Sequence, residues 1–118
     1  MYKVLIADKL NKEAADIFSD NGIQTIVKTG LDVKSLIQEL KDCNGLVVRS
    51  ATKVTKEIIE ASKKLSVIGR AGIGVDNIDI QAATNNGKIV MNAPFGNSIT
   101  TAEHTITLIL CTARQIPY

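Results

Sequence analysis

Five short apolar runs, each separated from the next by a stretch with helical spacing, confine this chain to one kind of architecture. The runs are Val4–Ala7, Ile23–Val27, Leu46–Val48, Leu65–Gly69 and Lys88–Met91. The first and third are continuously apolar, as expected of strands buried on both faces of a parallel sheet. Between the runs lie helix signals. Asn11 caps a helix with Ala14, Ala15, Ile17 and Phe18 on its inner face, and Asn21-Gly22 ends it. Asp32 caps a second helix through Leu40, with Leu36, Ile37 and Leu40 facing inward. Thr55 opens a third, with Ile58, Ile59 and Ala61 as its buried stripe, and Ile80–Asn85 forms a fourth, closed by Asn86-Gly87. Strands alternating with helices mean right-handed βαβ crossovers. The expected fold is α/β: a flavodoxin-like three-layer sandwich with a five-stranded parallel sheet, plus a C-terminal crossover helix.

That last helix follows a loop, residues 92–97, whose direction Pro94 fixes. Ser98 or Thr100 opens it, and Thr100-Thr-Ala-Glu103 reads as a capping box. From Thr105 to Ala113 it carries no charge, and Ile106, Leu108, Ile109, Leu110 and Cys111 cover most of its circumference. Such a helix is expected to be buried on more than one side. With Pro117 breaking the helix and the chain ending at Tyr118, the expected cover is a missing segment or a second copy, which predicts a homo-oligomer through this helix. Charge points the same way. Residues 1–64 hold 11 Lys/Arg and 9 Asp/Glu, whereas residues 65–118 hold 3 and 3, so the second half is expected to meet a surface other than water.

The 118 residues suffice for one domain with a real core. A net charge of +2, an aromatic content of 3% and the absence of tryptophan argue against nucleic acid and membrane surfaces as partners. Met1-Tyr-Lys runs directly into a strand pattern rather than a signal-peptide core, and no apolar run approaches the roughly 18 residues that span a bilayer. A cytoplasmic location is therefore expected. Cys43 and Cys111 lack metal-ligand spacing and read as reduced thiols.

In doubly wound sheets ligands collect beyond the carboxyl ends of the strands. The residues there are Asp8, Arg49-Ser50, Arg70-Ala71-Gly72 and Asn92. Gly72 and Gly74 let the backbone approach a ligand and aim its N–H groups, and Arg70 sets a permanent cation beside them. The run is not a dinucleotide fingerprint, because Asn77 stands at the third glycine position and no acidic residue follows at the ribose distance. Arg49 and Arg70, leaving neighbouring strands, call for an anion between them; structural ion pairs with Asp8 or Asp76 compete with that reading. Asp76 and Asp79 read as helix caps, His104 as structural, and Asn97 as a substrate amide or a helix cap. A receiver domain shares this sheet, but Arg49 stands where its acceptor carboxylate belongs. A non-catalytic anion- or ligand-binding module of flavodoxin-like fold remains the alternative.

Three stretches carry a resemblance: Val47-Val-Arg-Ser-Ala-Thr-Lys-Val-Thr55, Val67-Ile-Gly-Arg-Ala-Gly-Ile-Gly-Val-Asp-Asn-Ile-Asp79 and Met91-Asn-Ala-Pro-Phe-Gly-Asn-Ser-Ile-Thr-Thr-Ala-Glu-His104. Together they resemble the phosphoglycerate branch of the NAD-dependent D-2-hydroxyacid dehydrogenases. The likeness covers essentially the whole chain, Ala113–Pro117 included. It implies that residues 1–95 are a substrate-binding domain and that 96–118 form a crossover into an absent nucleotide-binding domain. The implied substrate is a phosphorylated hydroxy acid, 3-phosphoglycerate, oxidised to 3-phosphohydroxypyruvate with NAD as hydride acceptor in serine biosynthesis. Arg49, Ser50, Arg70, Ala71, Gly72 and Asn97 are then expected to bind substrate, and Ile73 to pack on the nicotinamide. The family's NAD loop and catalytic Arg, Glu and His have no match here, so no catalytic residue is expected and the chain alone should be inactive.

Overall fold

The computed structural model describes residues 1–116 of the chain. Ten elements alternate: β1 (Lys3–Ile6), α1 (Lys12–Asp20), β2 (Gln24–Val27), α2 (Val33–Leu40), β3 (Gly45–Val48), α3 (Lys56–Ala61), β4 (Val67–Arg70), α4 (Ile80–Asn85), β5 (Ile89–Met91) and α5 (Ser98–Arg114). All strand pairs are parallel, in the order β2-β1-β3-β4-β5, the doubly wound order expected from the sequence. All four expected residues, Asn11, Asp32, Thr55 and Asp79, stand at helix N-caps, but Asn11 and Thr55 make no side-chain cap bond, and only the two aspartates cap through their side chains. The Asp32 carboxylate accepts the Ser35 N–H at 3.2 Å and opens α2, while Asp79 accepts from Ala82 N at 2.9 Å and opens α4. Gly22 and Gly87 take φ of +70° and +64° just past α1 and α4, where a side chain would be strained.

The two faces of the sheet differ. Because side chains alternate along a strand, Leu5, Ala7, Leu46, Val48 and Ile68 point to one side. There they form a closed core with Leu36 and Leu40 of α2, Ile58 and Ile59 of α3, and Ala82 and Ala83 of α4. The other face carries only α1. Beside it an apolar trough of about 510 Å³ stays open, lined by Val4, Phe18, Val47, Val67, Gly69 and Met91. With half of this face uncovered, no residue of α1 is fully buried, and Ile17, expected inside, is 62% exposed. Ala61 is also exposed: α3 ends there, and Ser62 takes the buried place. At the amino edge of the sheet Lys88 donates to the carbonyls of Ser62 and Leu65 at 2.8 and 2.7 Å, tying α3 to β5. Burial there holds its ammonium below the usual lysine range.

The final helix stands apart from the core. Across α5 every residue is exposed except Cys111, which is half-buried, so the described residues of this chain give it no cover, in keeping with the expectation that its cover lies outside them. The expected capping box does not form. The helix opens at Ser98 with Asn97 at its N-cap, which leaves Thr100 inside the first turn, and Asn97 makes no side-chain cap bond. Viewed down the helix, Ile99, Ala102, Ile106, Ile109, Leu110 and Ala113 form one apolar stripe. Thr105, Thr107 and Thr112 each turn their hydroxyl back to the carbonyl four residues earlier, at 2.8 Å. The expected helix break at Pro117 lies outside the described residues. Among those residues no helix is long and apolar enough to cross a membrane.

Candidate ligand site at the carboxyl edge

Three loops leave the carboxyl ends of β1, β3 and β4 side by side. Val48 and Arg70 are register partners, so Arg49 and Ala71 depart from neighbouring strands. Asp8, just past β1, is 5% exposed and organises the loop after β3. Its carboxylate accepts the Arg49 N–H at 2.7 Å, the Thr52 N–H at 3.1 Å and the Thr52 hydroxyl at 2.6 Å. Burial alone would raise this carboxyl's pKa, but the Thr52 hydroxyl and the N–H groups of Arg49, Thr52 and Ala51 outweigh it and hold Asp8 below the usual carboxylate range. Asp8 thus binds main chain rather than the Arg49 guanidinium. That guanidinium is exposed, and its one protein hydrogen bond among the described residues is a 3.5 Å contact with the Lys9 carbonyl.

Arg70 behaves differently. Its side chain, 11% exposed, folds over its own loop. It donates to the Gly74 carbonyl, reaches the Arg49 carbonyl at 3.3 Å, and lies 3.5 Å from the Asp76 carboxylate. Gly74 permits this approach, since a Cβ there would sit 2.9 Å from the guanidinium and 3.2 Å from Asp76 Oδ1. Asp76 itself is 87% exposed, so the ion pair adds little. The sequence placed two cations at one rim. The structure leaves Arg49 open to an incoming anion and occupies Arg70 in shaping the turn.

Within that turn, Ala71 N donates to Val48 O and Gly72 N to Arg70 O, both at 2.9 Å. The N–H groups of Ile73, Gly74 and Val75 donate to no protein acceptor among the described residues. Ser50 is exposed at the head of the Arg49 loop, Ile73 is 44% exposed, and the Asn97 amide is free of its own helix. Residues that had stood only in the background bind the loops together. Asn92 Nδ2 donates to Ile73 O at 2.7 Å and Ala93 N to Gly72 O at 2.9 Å. On the other flank, Asn77 Nδ2 reaches the carbonyls of Arg49 and Thr52, each at 2.6 Å. A polar amide at the third glycine position was the one available signal for this second contact.

A dinucleotide does not fit this turn. The helix that follows it spans six residues, and the Asp79 carboxylate occupies its N-terminus, where a pyrophosphate would need free N–H groups and no negative charge. The geometry suits a smaller anion, held by one exposed guanidinium and a short arc of main-chain N–H groups. Among the described residues, no cluster of three or more His, Cys, Asp or Glu side chains could hold a metal ion.

Comparison with known proteins bears on this arrangement. Residues 4–113 match the family model described as D-isomer specific 2-hydroxyacid dehydrogenase, catalytic domain. The chain is 56% identical over 115 residues to D-3-phosphoglycerate dehydrogenase of Sus scrofa and 54% identical over 115 residues to that of Archaeoglobus fulgidus. Each match takes in 98% of this chain and 22% of the relative, so the chain spans about a fifth of the length of these curated relatives. Among solved structures it is similar to 3-phosphoglycerate dehydrogenase of Entamoeba histolytica with NAD+ bound, with a TM-score of 0.80 and 31% identity, covering 93% of this chain and 38% of that one. A protein from Pyrococcus horikoshii superposes with a TM-score of 0.86 at 28% identity, covering 98% and 34% of the two chains.

Proposed function

Because the chain belongs to the D-isomer specific 2-hydroxyacid dehydrogenase family, we propose that it is the substrate-binding part of an NAD-dependent D-3-phosphoglycerate dehydrogenase. In this reading residues 1–95 receive the substrate and 96–118 cross toward a nucleotide-binding domain. The parent reaction takes 3-phosphoglycerate to 3-phosphohydroxypyruvate in serine biosynthesis, in the cytoplasm. NAD supplies the hydride acceptor there, and this chain by itself is not expected to bind it tightly. Its own residues bind and orient. Arg49 and Ser50 take one acidic end of the substrate, while the turn from Arg70 through Gly74, with Ala71 and Gly72 setting its path, takes the other. Asn97 approaches from the start of α5, and Ile73 offers an apolar contact to the nicotinamide.

The observation that supports this most directly is the pairing of an exposed Arg49 guanidinium, held among the described residues only by its 3.5 Å contact with Lys9 O, with the unengaged N–H groups of Ile73 and Gly74 on adjacent strand ends. Two points of attachment on neighbouring loops suit a small acid charged at both ends. Titrating 3-phosphoglycerate into the 15N-labelled chain is expected to give saturable shifts confined to residues 49–52 and 71–75. Arg49→Ala should weaken the response at least tenfold without lowering thermal stability, because that side chain rests on little else. NAD added to the same sample is expected to stay oxidised. A flat titration, or substrate-dependent NADH, would sink this reading.

We propose further that the chain self-associates through α5. The stripe Ile99, Ile106, Ile109 and Leu110 is between 58% and 75% exposed, and covering what remains open of these four side chains is worth about 4–8 kcal/mol. Light scattering should report a mass above that of one chain, and Ile106→Glu should return it to the monomer value with the far-ultraviolet spectrum unchanged. A monomeric wild type at high protein concentration would refute it.

A further inference from the structure

We infer that Asn77 is a positioning residue, which fixes the distance between the two loops that would receive the two ends of the ligand; the role rests on the substrate reading above. Asn77 belongs by main chain to the turn after β4 and by side chain to the loop after β3. Its amide nitrogen donates to Arg49 O and Thr52 O, each at 2.6 Å, so it spans the loop that carries Arg49 and Ser50 at both ends. Its own carbonyl accepts from Val54 N at 2.8 Å, and Asp79 N donates to Val54 O at 3.0 Å. These bonds and the parallel bridge between Val54 and Ile78 join the segments just beyond the two loops. Arg49 O is shared, since Arg70 Nε reaches it at 3.3 Å.

The chemistry of the side chain is specific to this task. Two carbonyl oxygens face one nitrogen, so both amide hydrogens are used and the direction of the side chain is set by two points. Asn77 Oδ1 is buried without a partner among the described residues, so the group is kept in place by its donors. A carboxylate of the same shape would set one oxygen, in place of the donating nitrogen, against both carbonyls. Alanine would remove both links, leaving Thr52 O to water and Arg49 O with Arg70 Nε alone. On its far flank the turn is held by Asn92 and Ala93. Asn77 therefore shares with the Arg70 guanidinium, which joins Gly74 O to Arg49 O, the task of setting how far the N–H groups of Ile73 and Gly74 lie from Arg49, above the spacing that the strands provide.

A spacing role predicts a loss that depends on the ligand having two ends. In Asn77→Ala, affinity for 3-phosphoglycerate should fall at least tenfold, whereas affinity for inorganic phosphate, which engages the Arg49 loop alone, should change less than twofold. Both are read by NMR titration against wild type. Hydrogen exchange gives a readout that needs no ligand: residues 49–53 and 72–78 should both exchange faster, with β1, β3 and β4 still protected. A parallel loss for both anions, or loosening of one loop only, would overturn the role. If wild type and Asn77→Ala bind 3-phosphoglycerate equally, the role of Asn77 falls by itself. A wild type that ignores 3-phosphoglycerate removes the substrate reading and this role together.

Discussion

Asp8→Ala is expected to lower the unfolding free energy by about 3 kcal/mol, measured by urea denaturation. Three donors converge on this one carboxylate, two from main chain and one from Thr52. Truncation leaves all of them without an acceptor at a position 5% exposed. Asp8→Asn should recover part of the loss, since one amide oxygen can still accept while the amide nitrogen faces donors. The pH dependence has a definite sign. The folded pKa of Asp8 is depressed, so its contribution is complete above the unfolded value of about 4. It disappears as pH falls through the lower, folded value. Wild type should therefore lose stability in that acid range, and Asp8→Ala should show a flatter profile there. Equal acid sensitivity in the two proteins would refute the assignment.

Arg70→Ala should abolish 3-phosphoglycerate binding, with at least a hundredfold loss by NMR titration, and cost about 2 kcal/mol of stability. Both effects follow from the guanidinium acting as a clasp on Gly74 O and Arg49 O. Without it the turn from Ala71 to Asp76 loses the side chain that folds it. Arg70→Lys should not restore binding, because a single ammonium cannot reproduce a planar fork directed at two separate carbonyls. The contrast with Arg49→Ala is the useful one: at Arg49 binding is lost and stability kept, at Arg70 both are lost. An Arg70→Ala protein that binds within threefold of wild type would show that the clasp does not matter for the ligand.

Local chemistry made most of the fold legible. The apolar runs at Val4, Leu46 and Ile68, the caps at Asp32 and Asp79, and the left-handed glycines at 22 and 87 each depend on residues within a few positions of one another. The strand order then follows from connection rules. What could not be read depends on contacts between distant segments. Asp8 and Thr52 are 44 residues apart, and Asn77 and Arg49 are 28 apart. Nothing in the spacing of either pair announces that they meet. Arg49 and Arg70 looked equivalent because each follows a strand, and only the path of the turn separates a free cation from an engaged one. Ile17 was misjudged for a related reason. An apolar stripe reports that a surface wants cover, and the described residues beside α1 do not supply it; for α5 the same signal was read with its cover placed elsewhere.

The hydroxyls of Thr105, Thr107 and Thr112, each returned to its own helix, have a consequence for how α5 is recognised. Such a helix can pass from water into an oily setting while keeping every hydrogen bond that those hydroxyls donate. Its attraction to a neighbour is therefore undirected, and any hollow of suitable width will hold it. Discrimination among neighbours then falls to the few groups that still demand a matching charge or donor, Glu103 and His104 near one tip and Arg114 at the other.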